Sequence, residues 1–463
     1  MKKIRRAILS MTFLVICFGC NNEATLTPNL RLSDNNRYLS SANGDPFFWL
    51  GDTGWLLFKK LNREEAEKYL ENRRQKGFNV IQAMLIHDIN KCDNFYGDSA
   101  ISGNDISRIK VTAGDSPDNP GQYDYWDHVD YVIRKAGEKG IYMALVPVWG
   151  SNVRSGKVSK EQASAYATWL AGRYGKKANV IWLNGGDVKG SDYTDIWNTI
   201  GSILNTNTGN QLVTFHPFGR TRSAEWFHNQ DWLSFNMFQS GHRDYSQDTA
   251  GTAYGEDNWR YMNEDYALSP VKPSLDGEPS YESIPHGLHD TTQVYWTDAD
   301  VRRYAYWSVF SGACGFTYGH NAVMQFHRKG EKGGAYGVKE KWEDAINAPG
   351  SGQLINMKKL MLSKPYYERV PAQELIAGSN GERYAYLVAT RGRDYAMIYT
   401  YTGRFIPINT SLLGWTEFNA SWFNPTDGTS ISEGIHTTGN NLVFDPPSEE
   451  KPGNDWVLVL EKK

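Results

Sequence analysis

The sequence predicts an α/β fold, namely a (β/α)8 TIM barrel followed by a small antiparallel β-sandwich domain. Between residues 37 and 364, short apolar runs alternate with helical patterns, which is typical of parallel strands joined by helices. Eight such runs are present, and this number favours a closed barrel. Beyond residue 365 the runs are short and separated by Gly, Asn and Asp turns, which indicates antiparallel strands.

The predicted helices have recognisable ends. Asn62 with Glu65 three residues later forms a capping box, and Gly77 is a suitable helix stop. Further helices are predicted over 126–140, 159–174, 192–204 and 298–310. The predicted barrel strands are 46–52, 78–86, 141–148, 180–183, 212–215, 233–238, 273–277 and 315–318. No phosphate-binding glycine motif follows any of these strands, which counts against the alternative of an open doubly wound sheet.

The N-terminus has the features of an export signal. Residues 2–6 are rich in Lys and Arg, and the apolar run 7–18 is too short to span a membrane. Gly19-Cys20 then resembles a bacterial lipoprotein cleavage site, in which Cys20 becomes the lipidated first residue; plain secretion is the alternative. The expected divisions are a signal peptide 1–20, a linker 21–36, a barrel 37–364 and a sandwich 365–463. We expect an exported lipoprotein of a Gram-negative bacterium, either periplasmic or at the outer membrane and cell surface. Its lipid would anchor it to the outer or the inner membrane.

Composition and charge limit the class of partner. The net charge is −3, and Lys and Arg are dispersed, so nucleic acid is not an expected partner. The 16 Trp and 27 Tyr suit sugar rings, although aromatic residues also fill cores. Cys92 and Cys314 are far apart and fit no metal spacing, which favours buried free thiols. No cofactor is predicted.

Two carboxylates are the strongest candidates for chemistry. Asp187 follows the fourth strand through Asn184-Gly-Gly, and Glu278 follows the seventh strand just before Pro279. Barrels hold their chemistry at the carboxyl ends of strands, and a facing pair of carboxyl groups is what glycoside hydrolysis requires. Strand alternation would put Asp276 on the same face as Glu278 but one layer deeper, and Glu282 is the next candidate nucleophile. Capping of the following helix is the alternative role for Asp187.

Other polar and aromatic residues at the strand ends, or in nearby motifs, are predicted to contact the substrate. Asp52 has a second possible role, because it could simply hold the turn at Gly51-Asp-Thr-Gly54. Three of the histidines could instead bind zinc, although their spacing forms no compact motif. The expected substrate contacts are Asp52, Trp55, His87, Trp149, Asn184, His216, Asn236, Gln239, Tyr281 and His320, and the metal alternative uses His87, His216 and His320. A non-catalytic glycan-binding lipoprotein is the remaining alternative.

Four segments together resemble the apiosidase-like glycoside hydrolases of gut Bacteroidetes, over roughly residues 30–370. They are Phe48-Trp-Leu-Gly-Asp-Thr-Gly-Trp55, Gly77-Phe-Asn-Val80, Trp182-Leu-Asn-Gly-Gly-Asp187 and Leu275-Asp-Gly-Glu-Pro-Ser-Tyr-Glu282. The tail, with Trp422-Phe-Asn-Pro-Thr-Asp-Gly428, is similar to the collagen-binding-type domain that follows in those proteins.

The resemblance implies an enzyme that cleaves apiose-linked side chains of the plant pectin rhamnogalacturonan-II, acting on a pectic oligosaccharide. It implies Asp187 as acid/base and Glu278 as nucleophile. Similar barrels hold these carboxyl groups about 5–5.5 Å apart, which implies retention of anomeric configuration. The fourth strand usually supplies Asn-Glu, whereas this chain has Asn184-Gly-Gly-Asp187, and that difference bears on the separation of the carboxyl groups.

Overall fold

The first part of the chain forms the predicted barrel, in which each of eight parallel strands is followed by a helix. The computed structural model describes residues 27–248, 251 and 253–463, so the predicted signal peptide and Cys20 lie outside the described residues. The strands are β1 (Trp49–Thr53), β2 (Val80–Met84), β3 (Tyr142–Val146), β4 (Val180–Val188), β5 (Val213–Pro217), β6 (Asn236–Gln239), β7 (Ser274–Asp276) and β8 (Gly315–Tyr318). The helices that surround the barrel are labelled α1 (Arg63–Gln75), α2 (Tyr125–Glu138), α3 (Lys160–Tyr174), α4 (Thr194–Asn207), α5 (Ala224–Phe227), α6 (Asn258–Tyr266), α7 (Asp298–Phe310) and α8 (Pro349–Leu362). Further helices of four or five residues span Leu57–Lys60, Gly150–Arg154, Asn321–Met324 and Trp342–Ala345.

The sheet curls into a nearly closed barrel. Hydrogen-bonded neighbours follow the order β5-β4-β3-β2-β1-β8-β7-β6, and a short strand, Thr221–Arg222, pairs antiparallel with β6. The barrel closes between β5 and β6. Just before β6 begins, the Ser234 amide donates to the Val213 carbonyl of β5 at 2.8 Å. The Thr214 hydroxyl adds a bond of 2.6 Å to the Phe235 carbonyl. The prediction of a TIM-type barrel is therefore confirmed.

Local sequence explains where the helices begin. The predicted capping box at Asn62 and Glu65 is present, with the Glu65 amide donating to the Asn62 side chain at 2.8 Å. Equivalent boxes open α2, α3 and α7, each satisfying amides that a helix start leaves without partners. Side chains such as Trp49 and Leu183 fill the barrel, while Leu145 and Trp182 pack between the strands and the helices. These two apolar layers hold the strand ends in a fixed ring.

Two strands that carry candidate residues differ from their predicted bounds. β4 continues to Val188, so Asn184 and Asp187 lie within it rather than beyond its end. β7 ends at Asp276, so strand alternation does not extend to Glu278. The helix after β4 begins only at Thr194, and its start makes no bond to an acidic side chain. A helix-capping role for Asp187 is therefore excluded.

The last part of the chain is the predicted antiparallel β domain. Its labelled strands are β9 (Val388–Arg391), β10 (Tyr395–Thr400), β11 (Ile406–Asn409), β12 (Glu417–Phe423), β13 (Ser430–Thr437), β14 (Asn441–Phe444) and β15 (Trp456–Lys462). A six-stranded sheet runs from Val370–Pro371 through β9, β10, β15 and β12 to β13, and β11 pairs with β14 as a ribbon. A small core that includes Ile398, Phe418 and Leu458 lies within this domain.

The opposite face of the six-stranded sheet packs against the barrel, chiefly on α7. The rings of Tyr306 and Tyr399 stack at 4.6 Å with an angle of 4° between their planes. The Arg302 guanidinium binds the buried Asp455 carboxylate at 2.7 and 2.9 Å. The two domains therefore share apolar and ionic contacts.

In the described part of the chain, no helix combines the length and apolar character that a membrane crossing requires.

Candidate active site

A cavity of about 640 Å³ opens at the carboxyl ends of the barrel strands. Its walls come from the segments that follow most of the strands, so residues far apart in sequence meet there. Five of the predicted substrate contacts line it together with both predicted catalytic residues. These residues are Trp55, His87, Trp149, Gln239, Tyr281, Asp187 and Glu278.

Asp187 reaches the cavity because two glycines bend the end of β4. Gly185, Gly186 and Asp187 all have positive φ angles, of 89°, 105° and 53°. A Cβ atom at Gly185 would lie 2.6 Å from the Phe215 ring, and one at Gly186 would lie 2.6 Å from the Trp149 ring. Only glycine fits both positions without displacing an aromatic wall. The Asn-Gly-Gly-Asp sequence is therefore a geometric requirement for presenting this carboxyl group.

Glu278 lies between two histidines. His242 donates from Nε2 to Oε1 of Glu278 at 3.2 Å. Nε2 of the fully buried His216 lies 3.0 Å from Oε2, although the contact is too bent for a good hydrogen bond. The Asp187 amide donates to Nδ1 of His216 at 3.4 Å, which leaves the imidazole proton on Nε2, facing Glu278. The His216 imidazole therefore contacts both the Glu278 carboxylate and the backbone of Asp187.

The pKa values of the two carboxyl groups are shifted in opposite directions. Burial and then the nearby Glu278 carboxylate raise the pKa of Asp187 above its ordinary value. Burial would also raise the pKa of Glu278, but the contacts from His216 and His242 outweigh it and lower that pKa to about 2. This arrangement keeps Glu278 ionised near neutral pH and lets Asp187 hold its proton to a higher pH than an ordinary aspartic acid does. Such a divergence assigns the acid and the anionic partner of a two-carboxylate site.

Aromatic rings form one side of the cavity. Trp55 lies 5.4 Å from Trp149 and 5.3 Å from His216, measured between ring centres. The Trp55 indole donates to the Tyr281 hydroxyl at 3.1 Å, which fixes both side chains next to Glu278. Flat apolar faces with a few fixed polar groups suit the alternating apolar and hydroxyl surfaces of a sugar ring.

Asp52 and Asn184 do not face this cavity, which corrects their prediction as substrate contacts. Asp52 is fully buried and points toward α1, where Arg73 Nε and the Tyr69 hydroxyl each bind it at 2.5 Å. Asn184 donates to the Trp197 carbonyl of α4 at 2.7 Å. Both side chains leave their strands on the helix side of the barrel, where they join strands to helices.

Asn236 and His320 are also occupied elsewhere. The Asn236 amide lies 3.2 Å from Nδ1 of the buried His228, on the helix side of β6. His320 accepts from the Ala322 amide at 3.1 Å and thereby caps a short helix, Asn321–Met324. Neither residue lines the cavity. The expectation that they contact substrate is corrected in the same way.

The other two acids near β7 have structural partners. Asp276 accepts from the Ser240 hydroxyl at 2.6 Å and from the Asn258 amide of α6 at 3.1 Å. It therefore faces the helices and does not lie beneath Glu278. Glu282 accepts from the Tyr318 hydroxyl at 2.6 Å and from the Gly350 amide at 3.1 Å. Neither acid lines the cavity, which leaves Glu278 as the acid of this segment that reaches it.

The three histidines of the zinc alternative are not arranged as a metal site. His87 lines the cavity, His216 is engaged with Glu278, and His320 caps a helix. Across residues 27–463, apart from the three positions not described, no group of three or more His, Cys, Asp or Glu is placed to hold a metal ion. The arrangement favours His216 as a partner of the carboxylate.

Two residues that the sequence analysis did not select also line the cavity. His242 lies three residues beyond β6, and Tyr336 lies in the long segment after β8. His242 could have been found by following the chain a few residues past the strand end, where barrel enzymes often place functional groups. Tyr336 follows a glycine-rich stretch with no strand or helix pattern, so no local signal marks it.

A parallel barrel whose strand ends bring together one carboxyl group of raised pKa and one of lowered pKa has the arrangement that glycoside hydrolysis requires. A family model described as "Apiosidase-like, catalytic domain" matches residues 33–368. The chain belongs to this apiosidase-like family. A second model, for a collagen-binding-like domain of a collagenase, matches residues 370–461. The predicted family and the prediction of an O-glycosyl hydrolase are therefore confirmed.

Solved structures agree with this assignment. A protein described as a glycoside hydrolase is 46% identical with a TM-score of 0.89, and the match covers 94% of this chain and 97% of that one. A family 5 glycoside hydrolase from Bacteroides vulgatus is 42% identical with a TM-score of 0.87, over 94% and 93% of the two chains. An endo-β-1,4-mannanase from Thermotoga petrophila, 14% identical with a TM-score of 0.50 over 91% and 93%, shares the fold. The comparison with curated proteins gave no match.

Proposed function

We propose that this glycoside hydrolase releases apiose-containing side chains from the pectin rhamnogalacturonan-II, with retention of anomeric configuration. The observation that carries the mechanism is the opposite environment of the two carboxyl groups, which raises the pKa of Asp187 and, through two histidines, lowers that of Glu278. The match to the apiosidase-like family supports the choice of sugar.

In the first step, the Glu278 carboxylate attacks the anomeric carbon while Asp187 donates its proton to the leaving oxygen. A covalent glycosyl-enzyme forms, and the remainder of the pectic chain departs with that proton. Two observations favour this step. Glu278 needs no deprotonation above about pH 2, because its pKa is about 2. Asp187 retains its proton to a higher pH than an ordinary aspartic acid does, because its pKa is raised.

In the second step, Asp187 removes a proton from water, which attacks the anomeric carbon and releases Glu278. The change of role follows from the electrostatics of the pair. The negative charge of Glu278 helps to raise the pKa of Asp187, and that charge disappears when Glu278 becomes an ester. The pKa of Asp187 then falls, so the carboxyl group that acted as an acid becomes a base. This coupling requires the two groups to share one cavity, as they do.

Product analysis tests the proposal. The parent enzyme is incubated with rhamnogalacturonan-II, rhamnogalacturonan-I and homogalacturonan, and the released sugars are identified by chromatography and mass spectrometry. We expect an apiose-containing product from rhamnogalacturonan-II alone, and no product from the matched Glu278→Gln variant. Release of a different sugar by the parent, or identical products from all three polymers, would contradict the proposed substrate.

We also propose that the enzyme is exported and anchored to a membrane through a lipid on Cys20, where it meets its plant pectic substrate. The support is the basic and apolar N-terminal sequence ending in Gly19-Cys20. Radiolabelled palmitate and membrane fractionation in a Gram-negative host test it. Cys20→Ser should abolish labelling and leave the barrel folded; equal labelling of Cys20→Ser and the parent would exclude this anchor.

A further inference from the structure

One wall of the cavity is a segment after β8 that is fixed to the first barrel helix. The Arg328 guanidinium binds both carboxylate oxygens of Glu65 at 2.6 Å, and it also donates to the Lys60 carbonyl at 2.8 Å. The segment then returns, and the Trp342 amide donates to the His327 carbonyl at 2.8 Å. Contacts at these points hold the intervening residues against the cavity.

Within this wall, the backbone around Tyr336 is held tightly. Tyr336 has a φ angle of 54°, which is unfavourable for a residue with a bulky side chain. Its carbonyl accepts from the Asn321 amide group at 2.9 Å. The Gln325 side chain makes two hydrogen bonds to the backbone of Ala335, the residue before Tyr336. It accepts from the Ala335 amide at 2.8 Å and donates to the Ala335 carbonyl at 3.2 Å. Strained residues that persist under such restraint cluster at functional sites.

The side chain of Tyr336 lines the same cavity as the two catalytic carboxyl groups. Burial, then the charges of Glu278 and Asp187, raise the pKa of this phenol, so it keeps its proton to a higher pH than an ordinary tyrosine does. Among the residues that the structure describes, the hydroxyl makes no hydrogen bond to a protein group. The Tyr336 hydroxyl is therefore fixed in position and available to bind a ligand in the cavity that Asp187 and Glu278 also line.

We propose that Tyr336 is a specificity-determining residue, which donates a hydrogen bond to a hydroxyl of the sugar bound between Asp187 and Glu278. The aromatic faces of Trp55 and Trp149 recognise the apolar side of a ring but cannot select among sugars that differ in hydroxyl position. A directional donor can make that selection, because a sugar lacking the matching hydroxyl would leave a polar group without a partner. The inference rests on the proposed function to the extent that the ligand is a sugar.

The test compares Tyr336→Phe with Tyr193→Phe. The first variant removes only a hydroxyl from the cavity. The second removes one from a tyrosine with a similar φ angle, 61°, and a side chain outside the cavity that is 45% exposed. We expect Tyr336→Phe to lower kcat/KM on the pectic substrate about tenfold, the loss expected for one neutral hydrogen bond. The melting temperature should not change, and Tyr193→Phe should match the parent.

A second measurement separates this inference from the proposed substrate. Binding of free apiose, arabinose and galacturonic acid to Glu278→Gln, with and without Tyr336→Phe, is followed by saturation-transfer NMR. Weaker binding of at least one sugar after loss of the hydroxyl supports the inference even if rhamnogalacturonan-II is not cleaved. Unchanged kcat/KM and unchanged binding would overturn it, and so would a failure of all three sugars to bind, since the proposal places a sugar against Tyr336.

Discussion

His242→Phe would remove the better of the two hydrogen bonds to Glu278 and leave a planar ring in place. In the parent, His242 donates to Oε1 at 3.2 Å, and its ring meets Tyr281 edge-on at 4.8 Å. Phenylalanine keeps that aromatic contact but offers no N–H. His216 remains 3.0 Å from the other carboxylate oxygen, so the variant isolates the contribution of one donor.

The magnitude follows from the energy of a hydrogen bond to a charged group. Such a bond contributes about 1.5–3 kcal/mol, which corresponds to a rise of about 1–2 pH units in the pKa of Glu278. The parent pKa is about 2, below the ordinary value for a glutamic acid. A depressed pKa stabilises the fold above the unfolded-state pKa of about 4.3 and loses that effect as pH falls toward 2. The variant should therefore also unfold at a higher pH during acid titration.

The assay is the pH dependence of kcat/KM, which reports the ionisation of the free enzyme. We expect the acidic limb of the profile to move upward by about 1–2 pH units in His242→Phe, because less of Glu278 is ionised at each pH. The basic limb depends on the proton of Asp187 and should move less. His436→Gln, in the small domain, serves as the control. An acidic limb that stays in place while the rate falls at every pH would refute the reasoning, because His242 would then act by position alone.

Four further predictions concern the carboxyl pair and the domain junction. Asp187→Asn and Glu278→Gln should each lower turnover by about 10²–10⁴-fold without loss of structure by circular dichroism, and near-parent turnover would remove that residue from the mechanism. Proton NMR should show the first-formed sugar with the anomeric configuration of the substrate, and the opposite anomer would show inversion. Arg302→Met should lower the free energy of unfolding in urea by about 3–5 kcal/mol, because it leaves the buried Asp455 carboxylate without its cation. Deletion of 365–463 should destabilise the barrel, and a truncated barrel with the parent melting temperature would refute a structural role for the tail.

Most of the barrel could be predicted from local patterns, because each of its signals is short-range. A capping box such as that of Asn62 and Glu65 depends on residues three apart, and a buried strand is marked by its own apolar run. Asp187 and Glu278 were predictable as a pair for a related reason. Parallel strands present their carboxyl ends on one edge, so acids that follow two different strands can meet at the same rim.

The direction of a side chain at a strand end was harder to predict. Consecutive residues of a strand face opposite sides, so an error of one position reverses the assignment. Asp52 was expected in the cavity, but its neighbours Gly51 and Thr53 take the inner positions and Asp52 binds Arg73 among the helices. The prediction that Asn184 contacts the substrate was wrong for the same reason. The sequence marks the strand but not which of its polar residues faces inward.

His242 and Tyr336 show a different limit. Their positions depend on segments without regular structure, which long-range contacts fix. His242 is held where the Gly287 amide and the Trp296 indole both donate to its carbonyl, at 2.7 and 3.3 Å. No pattern around residue 242 reveals that residues 287 and 296 will lie beside it. Functional residues on such segments become visible only when the whole chain is folded.

The opposite pKa shifts of the two carboxyl groups arise from the ends of neighbouring strands. The bend at Gly185 and Gly186 brings Asp187 into the cavity, where burial disfavours its charged form and raises its pKa. The end of β5 supplies His216, and the segment after β6 supplies His242, so the adjoining end of β7 places Glu278 where charge is stabilised. Exchanging the two acids would therefore not exchange their roles, since each role belongs to the position in the barrel rather than to the length of the acidic side chain.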